Sequence, residues 1–383
     1  MKTIPYALPL IEDEEIKEVI DTIHSNWLSK GPKTVEFENQ IKQYVNADYG
    51  IALNSCTAGL HIAQLAAGIG PGDEVITTPY TFVASANTII HTGATPVFVD
   101  IDPVTMNIDP NLIEAKITDK TKGIIPVHFA GYPCDMDPIM EIAKKHNLVV
   151  IEDAAHAIYT QYKGRMIGSI GDFTCFSFYA TKNLVTGEGG LVTTHSEEMS
   201  DKLRIMSLHG MSKNAWNRYA DKGSWYYEVE YPGYKYNMTD IQAAFGLVQL
   251  SKLEKMQQTR EQYAKMYNEV LSTVDGITLP YSDDVNRHAW HLYVIRLDEE
   301  KFTIDRAEFI EKLKEMGVGT SVHFIPVPMQ PYYKRLGYNA EDYPNALKAF
   351  NGAISLPLYP RMTIEEVQYA ANAVVELAKK YKK

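Results

Sequence analysis

Gly50-Ile51-Ala52-Leu53-Asn54-Ser55-Cys56-Thr57 is a short apolar strand running into a polar turn, and the turn opens a helix over residues 58–67. Strand, turn and helix in that order form the unit of an α/β fold. The unit recurs through the first half of the chain. Further strands are read at Glu74-Val75-Ile76-Thr77, Pro96-Val97-Phe98-Val99, Gly123-Ile124-Ile125-Pro126-Val127, Leu148-Val149-Val150-Ile151 and Gly190-Leu191-Val192-Thr193, with helical stretches between most of them. Upstream, residues 14–24 place Ile16, Val19, Ile20 and Ile23 on one helical face, and residues 35–44 repeat the pattern. The expected class is α/β, with a mainly parallel sheet covered on both faces.

From about Asp240 the pattern changes to one long helical run over 241–270 without an internal proline. Beyond it, Leu292-Tyr293-Val294-Ile295 and Thr320-Ser321-Val322-His323-Phe324 read as strands, and 309–316 and 364–381 as helices. A large domain over 12–250 and a smaller C-terminal α+β domain over 251–383 follow, with 1–11 packing near the smaller one. The 383 residues are 45% hydrophobic and 22% charged, with a net charge of −11 and no block of like charge. That balance argues against nucleic acid or an anionic membrane as partner, since both favour a basic face. Cys56, Cys134 and Cys175 have no paired spacing, so neither a zinc nor a disulfide framework is expected. With no signal-like N-terminus and no apolar run near the ~20 residues of a membrane span, the expectation is a soluble, cytoplasmic protein.

In open α/β sheets, ligands bind beyond the carboxyl ends of the strands. Several polar groups fall there. Lys182 lies in Ser177-Phe178-Tyr179-Ala180-Thr181-Lys182-Asn183, between an aromatic strand (Asp172 to Phe178) and a flexible, glycine-rich run, Thr186-Gly187-Glu188-Gly189-Gly190. Most lysines are solvated surface charges. One at the mouth of a buried strand loses hydration, and its neutral amine becomes available to attack a carbonyl. Asp153 ends another strand and is followed by Ala154-Ala155 and His156. Alone, such an aspartate is more often a helix cap, but the two alanines leave room for a flat ring. Cys56 and Thr57 begin a helix, where free N–H groups favour an anion such as phosphate. Phe82 follows a strand end, where it is either core or a stacking plate, and Ser177 ends the strand before Lys182. An amine, a carboxylate, an anion cup, a plate and a hydroxyl are the parts that hold pyridoxal phosphate. The aromatic stretch 216–236, with Trp216, Tyr219, Trp225, Tyr226, Tyr227, Tyr231, Tyr234 and Tyr236, is either a packed loop or the wall of a sugar site.

These motifs, in order, resemble the sugar aminotransferases of the fold-type I pyridoxal-phosphate superfamily, which act on nucleotide-linked keto-sugars. The resemblance runs essentially end to end. It rests on Trp27-Leu28-Ser29-Lys30-Gly31-Pro32, Asn54-Ser55-Cys56-Thr57-Ala58-Gly59-Leu60, Glu152-Asp153-Ala154-Ala155-His156 and the lysine segment with Gly187-Glu188-Gly189-Gly190. It continues through Gly233-Tyr234-Lys235-Tyr236-Asn237-Met238-Thr239-Asp240, Val322-His323-Phe324-Ile325-Pro326, Gln330-Pro331-Tyr332-Tyr333 and Ser355-Leu356-Pro357-Leu358-Tyr359-Pro360.

The resemblance implies that Lys182 forms the Schiff base with the cofactor and that Asp153 pairs with its pyridine nitrogen. It places His156 at the ring hydroxyl, Phe82 and Ala155 on the two ring faces, and Cys56, Thr57 and Ser177 at the phosphate. Relatives read Gly-Tyr-Asn-Tyr-Arg where this chain has Gly233-Tyr234-Lys235-Tyr236-Asn237, and their Asn reaches the phosphate of the neighbouring subunit's cofactor. Lys235 is expected to take that contact as a cation, and Asn237 joins it among the cofactor-binding residues. The Lys-Tyr-Asn variant is common in enzymes acting on UDP-linked 4-keto sugars. Pro328 stands where many relatives have His, so any substrate contact of that His is absent. The implied reaction moves the amino group of glutamate to a UDP-linked keto-sugar, releasing 2-oxoglutarate, in a homodimer whose sites are shared. Residues 216–236 and His288-Ala289-Trp290-His291 are candidates for the sugar nucleotide. Two rivals stand beside it. One is a pyridoxal-dependent sugar dehydratase, a branch in which His replaces the lysine. The other is an inactive sugar-binding regulator of the same fold.

Overall fold

The computed structural model describes residues 3–211 and 227–383. Twelve strands occur among them: β1 Tyr49–Leu53, β2 Glu74–Thr77, β3 Thr95–Phe98, β4 Thr121–Ile125, β5 Val149–Asp153, β6 Gln161–Tyr162, β7 Arg165–Met166, β8 Phe173–Ser177, β9 Gly190–Thr194, β10 Ile277–Thr278, β11 Tyr293–Leu297 and β12 Ala353–Leu356. The helices are α1 Asp13–His24, α2 Pro32–Tyr44, α3 Cys56–Ala66, α4 Ala84–His91, α5 Met136–His146, α6 Glu197–Met206, α7 Asp240–Leu271, α8 Arg306–Glu315, α9 Pro331–Arg335, α10 Pro344–Gly352 and α11 Ile364–Lys380.

Seven strands form the main sheet in the order β1-β9-β8-β5-β4-β2-β3. The pairs from β3 across to β8 are parallel, and β9 runs antiparallel to both β8 and β1. The expected α/β class with a mainly parallel sheet is what the chain adopts. β5 shows why: Val149-Val150-Ile151 is covered on both faces, as interior parallel strands are, and carboxylates appear only where the strand ends. Glu152, fully buried, accepts from His128 Nε2 at 2.9 Å, Gly171 N–H at 2.8 Å and Thr174 Oγ1 at 2.7 Å, which satisfies it inside the protein.

α7, capped by a reciprocal Thr239–Gln242 pair, joins two hydrophobic clusters. Leu253 and Met256 pack with the main sheet, and Tyr263, Tyr267 and Leu271 pack with the antiparallel sheet β10-β11-β12. The N-terminal segment runs alongside both. Ile4 bridges Val318 and is buried in the second cluster, while Leu10 packs against the first.

One expected strand is absent, and the apolar face of α1 points outward. Residues 320–324 do not form a strand; only Ser321 pairs, with Ser355 of β12. Gly319 is held against the N-terminal segment, its N–H donating to Ile4 O at 2.8 Å, and the chain beyond Ser321 leaves the sheet toward the cavity described below. In α1, the side chains turned inward are Glu15 and Thr22, and Ile16, Ile20 and Ile23 are about half exposed. Glu15 is drawn in because it accepts from Gln249 Nε2 at 2.7 Å and Lys252 Nζ at 3.0 Å on α7.

Candidate active site

A cavity of about 490 Å³ opens at the carboxyl ends of β5 and β8, against the N-terminus of α3. Eight of the ten residues singled out from the sequence line it. Lys235 and Asn237 do not.

The loop between β8 and β9 carries Lys182. Phe178 N–H donates to Gly189 O at 2.9 Å, Thr186 N–H to Phe178 O at 2.8 Å, and Thr186 Oγ1 to Glu188 O at 2.7 Å. The glycine-rich run is therefore pinned, not flexible; Gly189 and Gly190 serve close approach, while Gly187 takes a φ of +82°. A Cβ on Gly190 would lie 2.4 Å from the Cys56 nitrogen. Lys182 is reached from the cavity but surrounded by protein, and burial lowers its amine from the usual lysine value to about 8, against the opposing pull of Asp153.

The Asp153 carboxylate accepts from Ser85 Oγ at 2.7 Å and from Ala155 N–H at 3.2 Å. Burial raises its pKa, and Ser85, Ala155 and Lys182 draw it back toward the ionised form. Ser55 caps α3 through Ala58 N–H at 3.1 Å. The amides of Cys56 and Thr57, in the first turn of an 11-residue helix, have no acceptor within it and lie at the cavity wall. The Cys56 thiol donates to Cys175 O at 3.3 Å, and burial pushes its pKa up, so it stays protonated. Phe82, 59% exposed, offers its ring at the cavity, as Ala155 offers its methyl group and Ser177 its hydroxyl.

Three imidazoles also face the cavity, all held unprotonated by burial. His156 Nδ1 accepts from Ala130 N–H at 3.2 Å, which leaves the ring proton on Nε2. His291 has the reverse arrangement. Asn183 Nδ2 donates to Ala289 O at 2.7 Å, so Asn183 Oδ1 is the acceptor 2.8 Å from His291 Nδ1, and the lone pair of His291 is on Nε2. His323 Nδ1 lies 2.8 Å from Ser355 Oγ, and its ring stacks on Tyr6 of the N-terminal segment. The cavity thus meets a ligand with a donor, an acceptor and aromatic walls.

Of the stretch 288–291, only His291 reaches the cavity; His288 and Trp290 stack on each other at 4.0 Å in the interior. Trp216, Tyr219, Trp225 and Tyr226 lie outside the described residues. Tyr231, Tyr234 and Tyr236 pack on the core beside α3, where Tyr234 meets His61 edge-on at 4.9 Å. Lys235 Nζ donates to Asn237 Oδ1 at 2.5 Å, and Asn237 pairs with Leu53 at the end of β1. Ser85, Tyr6, His323 and Phe324 were not singled out from the sequence as site residues. Ser85 had a signal, standing three residues after Phe82 on a helical turn. Tyr6 had none.

These residues fit pyridoxal phosphate. The cup of unpaired α3 amides suits its phosphate, the buried carboxylate its ring nitrogen, and the desolvated amine its aldehyde. The comparisons agree. Residues 9–375 match the model of the DegT/DnrJ/EryC1/StrS aminotransferase family. The chain is 57% identical over 378 residues to the spore coat polysaccharide biosynthesis protein SpsC of Bacillus subtilis, covering 98% of this chain and 97% of that one. Among solved structures it is similar to Streptococcus pneumoniae Spr1654, assigned as a sugar aminotransferase and solved in its PMP form, with a TM-score of 0.94, 38% identity, and 98% and 99% of the two chains covered. It is also similar to Helicobacter pylori PseC, an aminotransferase of pseudoaminic acid biosynthesis, with a TM-score of 0.92, 29% identity, and 99% and 100% covered. The chain belongs to the DegT/DnrJ/EryC1/StrS family of pyridoxal-phosphate-dependent sugar aminotransferases.

Proposed function

We propose that this protein transfers the amino group of glutamate to a nucleotide-linked keto-sugar, a UDP-linked 4-keto sugar in particular. The observation that carries the reading is a lysine amine near pKa 8 sharing one cavity with a buried carboxylate and a helix N-terminus. When bound, pyridoxal phosphate supplies the electron-accepting ring that lets a substrate carbon give up its proton. The chain supplies the rest. The amides of Cys56 and Thr57 and the Ser177 hydroxyl hold the phosphate, and Phe82 and Ala155 bracket the ring. His156 Nε2–H donates to the ring hydroxyl, and Asp153 keeps the proton on the ring nitrogen. Lys182 Nζ removes the proton from the donor's α-carbon and returns it on the other side of the exchange. His291 Nε2 offers an acceptor to a sugar hydroxyl. The UDP assignment is supported by the Lys235-Tyr236-Asn237 variant, and the sugar by the polysaccharide and pseudoaminic acid roles of SpsC and PseC.

Mixing the holoenzyme with labelled glutamate and a panel of UDP-, GDP- and dTDP-linked 4-keto sugars should release labelled 2-oxoglutarate and give the amino sugar, fastest with a UDP-linked member. A dehydrated sugar without 2-oxoglutarate would move the protein to the dehydratase branch. No turnover with any sugar and no cofactor absorbance would make it a binding protein.

A homodimer with shared sites belongs to the same proposal. Ile16, Ile20, Ile23, Trp27 and Leu28 are each about half exposed along α1 and the segment after it, an apolar surface that a second copy would cover. Lys235 and Asn237, outside this chain's own cavity, are left to serve the neighbour's. Sedimentation velocity should return a dimer; a fully active monomer would refute the shared site.

A further inference from the structure

The two oxygens of Asp153 are held differently. Oδ2 lies 2.7 Å from Ser85 Oγ, which in turn lies 2.9 Å from Thr81 Oγ1. All three side chains are buried. A serine hydroxyl has one proton to give. The carboxylate is the strongest acceptor within reach, and the alternative, Phe82 O, is 3.4 Å away. With that proton committed to Asp153, the contact with Thr81 can be filled only by the threonine's proton. The three groups therefore form a chain with one direction, from Thr81 O–H to Ser85 O–H to Asp153 Oδ2. Among the described residues, Oδ1 accepts only Ala155 N–H, since Cys56 Sγ stands 4.0 Å away and turns its proton to Cys175 O at 3.3 Å. An acceptor site on Oδ1 remains for a ligand N–H, and Asp153 lines the cavity.

We propose that Thr81 and Ser85 are positioning residues that keep Asp153 ionised and turned so that Oδ1 meets the protonated ring nitrogen of the cofactor. The inference rests on the reading of this cavity as the pyridoxal phosphate site. It also explains why Ser85 is on the turn that carries Phe82. Ser85 N–H donates to Phe82 O at 3.3 Å, so one turn at the start of α4 carries both Phe82 and the hydroxyl that holds Asp153. The bond is shielded from solvent, so Oδ2 has no ready substitute donor when Ser85 is removed.

The sign of the effect follows. Without Ser85 the buried carboxylate takes up a proton more readily and holds the ring-nitrogen proton less well. A ring that has lost that proton withdraws fewer electrons from the linkage to Lys182, which then keeps its own proton to higher pH. In holoenzyme carrying Ser85→Ala, the pH midpoint of the cofactor's visible absorption should rise by about one unit, and the dissociation constant for pyridoxal phosphate should rise about tenfold. The kcat should fall by a similar factor while KM for glutamate changes less than about twofold, the pattern of an interaction made in the transition state. Thr81→Val, close in shape, should move the midpoint and the dissociation constant in the same direction by less, about threefold for the latter. Thr81→Ser, which restores the hydroxyl, should return both to the wild-type values. If Ser85→Ala does not fold, the Thr81 pair decides. Lost activity with an unmoved midpoint and unchanged cofactor affinity would overturn the proposal, as would wild-type behaviour of the folded Ser85→Ala and Thr81→Val proteins. Failure of the wild-type protein to take up pyridoxal phosphate would instead remove the functional reading itself.

Discussion

Lys182→Ala should lower glutamate-dependent amine transfer by about 10³- to 10⁴-fold, the scale of losing a positioned acid–base group. It should leave the protein folded and able to take up pyridoxal phosphate. The two losses separate because the parts are separate. In the proposed assignment the start of α3, Phe82 and Asp153 would hold phosphate and ring, and they keep their places without the lysine amine, although Asp153 loses one of the charges that favour its ionised form. The covalent link does depend on it, so the variant's cofactor should absorb like the free aldehyde and wash out more easily. Added small amines should recover part of the lost rate, since they can carry the same proton through the same cavity. Full turnover without the lysine would overturn its assignment.

The wild-type amine adds a pH signature. Burial lowers it to about 8 in the protein without cofactor, and only the neutral form attacks an aldehyde. The rate at which apoprotein captures pyridoxal phosphate should therefore climb through pH 8 and level off above it. A midpoint near the ordinary lysine value of 10.5 would mean that the amine is solvated. His156, His291 and His323 do not compete for this titration, because burial holds all three unprotonated well below neutral pH.

What was legible in the sequence is what depends on local pattern. β2, β4, β5, β8 and β9 were readable because strands buried on both faces are continuous apolar runs, and their carboxyl ends locate the site by topology. Cys56, Asp153 and Lys182 each follow or end such a run. Ser85 had only its helical spacing from Phe82 to mark it, because its role needs α4 laid against the end of β5, a contact between residues 68 positions apart. Tyr6 and His323 meet only because the N-terminal segment is tied to Gly319 and Val318, and neither has a periodic signature. The β-like alternation of 320–324 was real, but a strand needs a partner along its length, and the tie to the N-terminus leaves one bridging residue. In α1 the apolar stripe was read correctly as helical. Its outward direction was set by Glu15 binding α7, a long-range choice that periodicity does not encode.

The same kind of long-range bond gives the largest stability effect expected from a single change outside the cavity. Asp240, the first residue of α7, is fully buried and holds the segment that leads into α2. Its Oδ1 accepts from Gly31 N–H at 2.7 Å, Thr34 N–H at 2.9 Å and Thr34 Oγ1 at 2.6 Å, and its Oδ2 accepts from Lys33 N–H at 3.0 Å. These are the orphan donors of the α2 N-terminus, so a side chain 206 or more residues away does the work of a cap. Asp240→Ala strips a partner from three amides and a hydroxyl at once and should cost about 3–5 kcal/mol. Asp240→Asn keeps an oxygen for the Oδ1 contacts but sets an NH₂ group against Lys33 N–H, and should cost about 1–2 kcal/mol. Urea unfolding followed by circular dichroism should show both shifts in that order. The consequence reaches past α2, whose Phe37 and Ile41 lie in the main core. The segment Asp240 anchors also carries Trp27 and Leu28, part of the apolar surface proposed to meet a second copy. The alanine variant should therefore dissociate at higher protein concentration than wild type before it unfolds. An unfolding midpoint for Asp240→Ala equal to wild type would mean that water or a shifted chain satisfies those donors, and that α2 is seated by its apolar face alone.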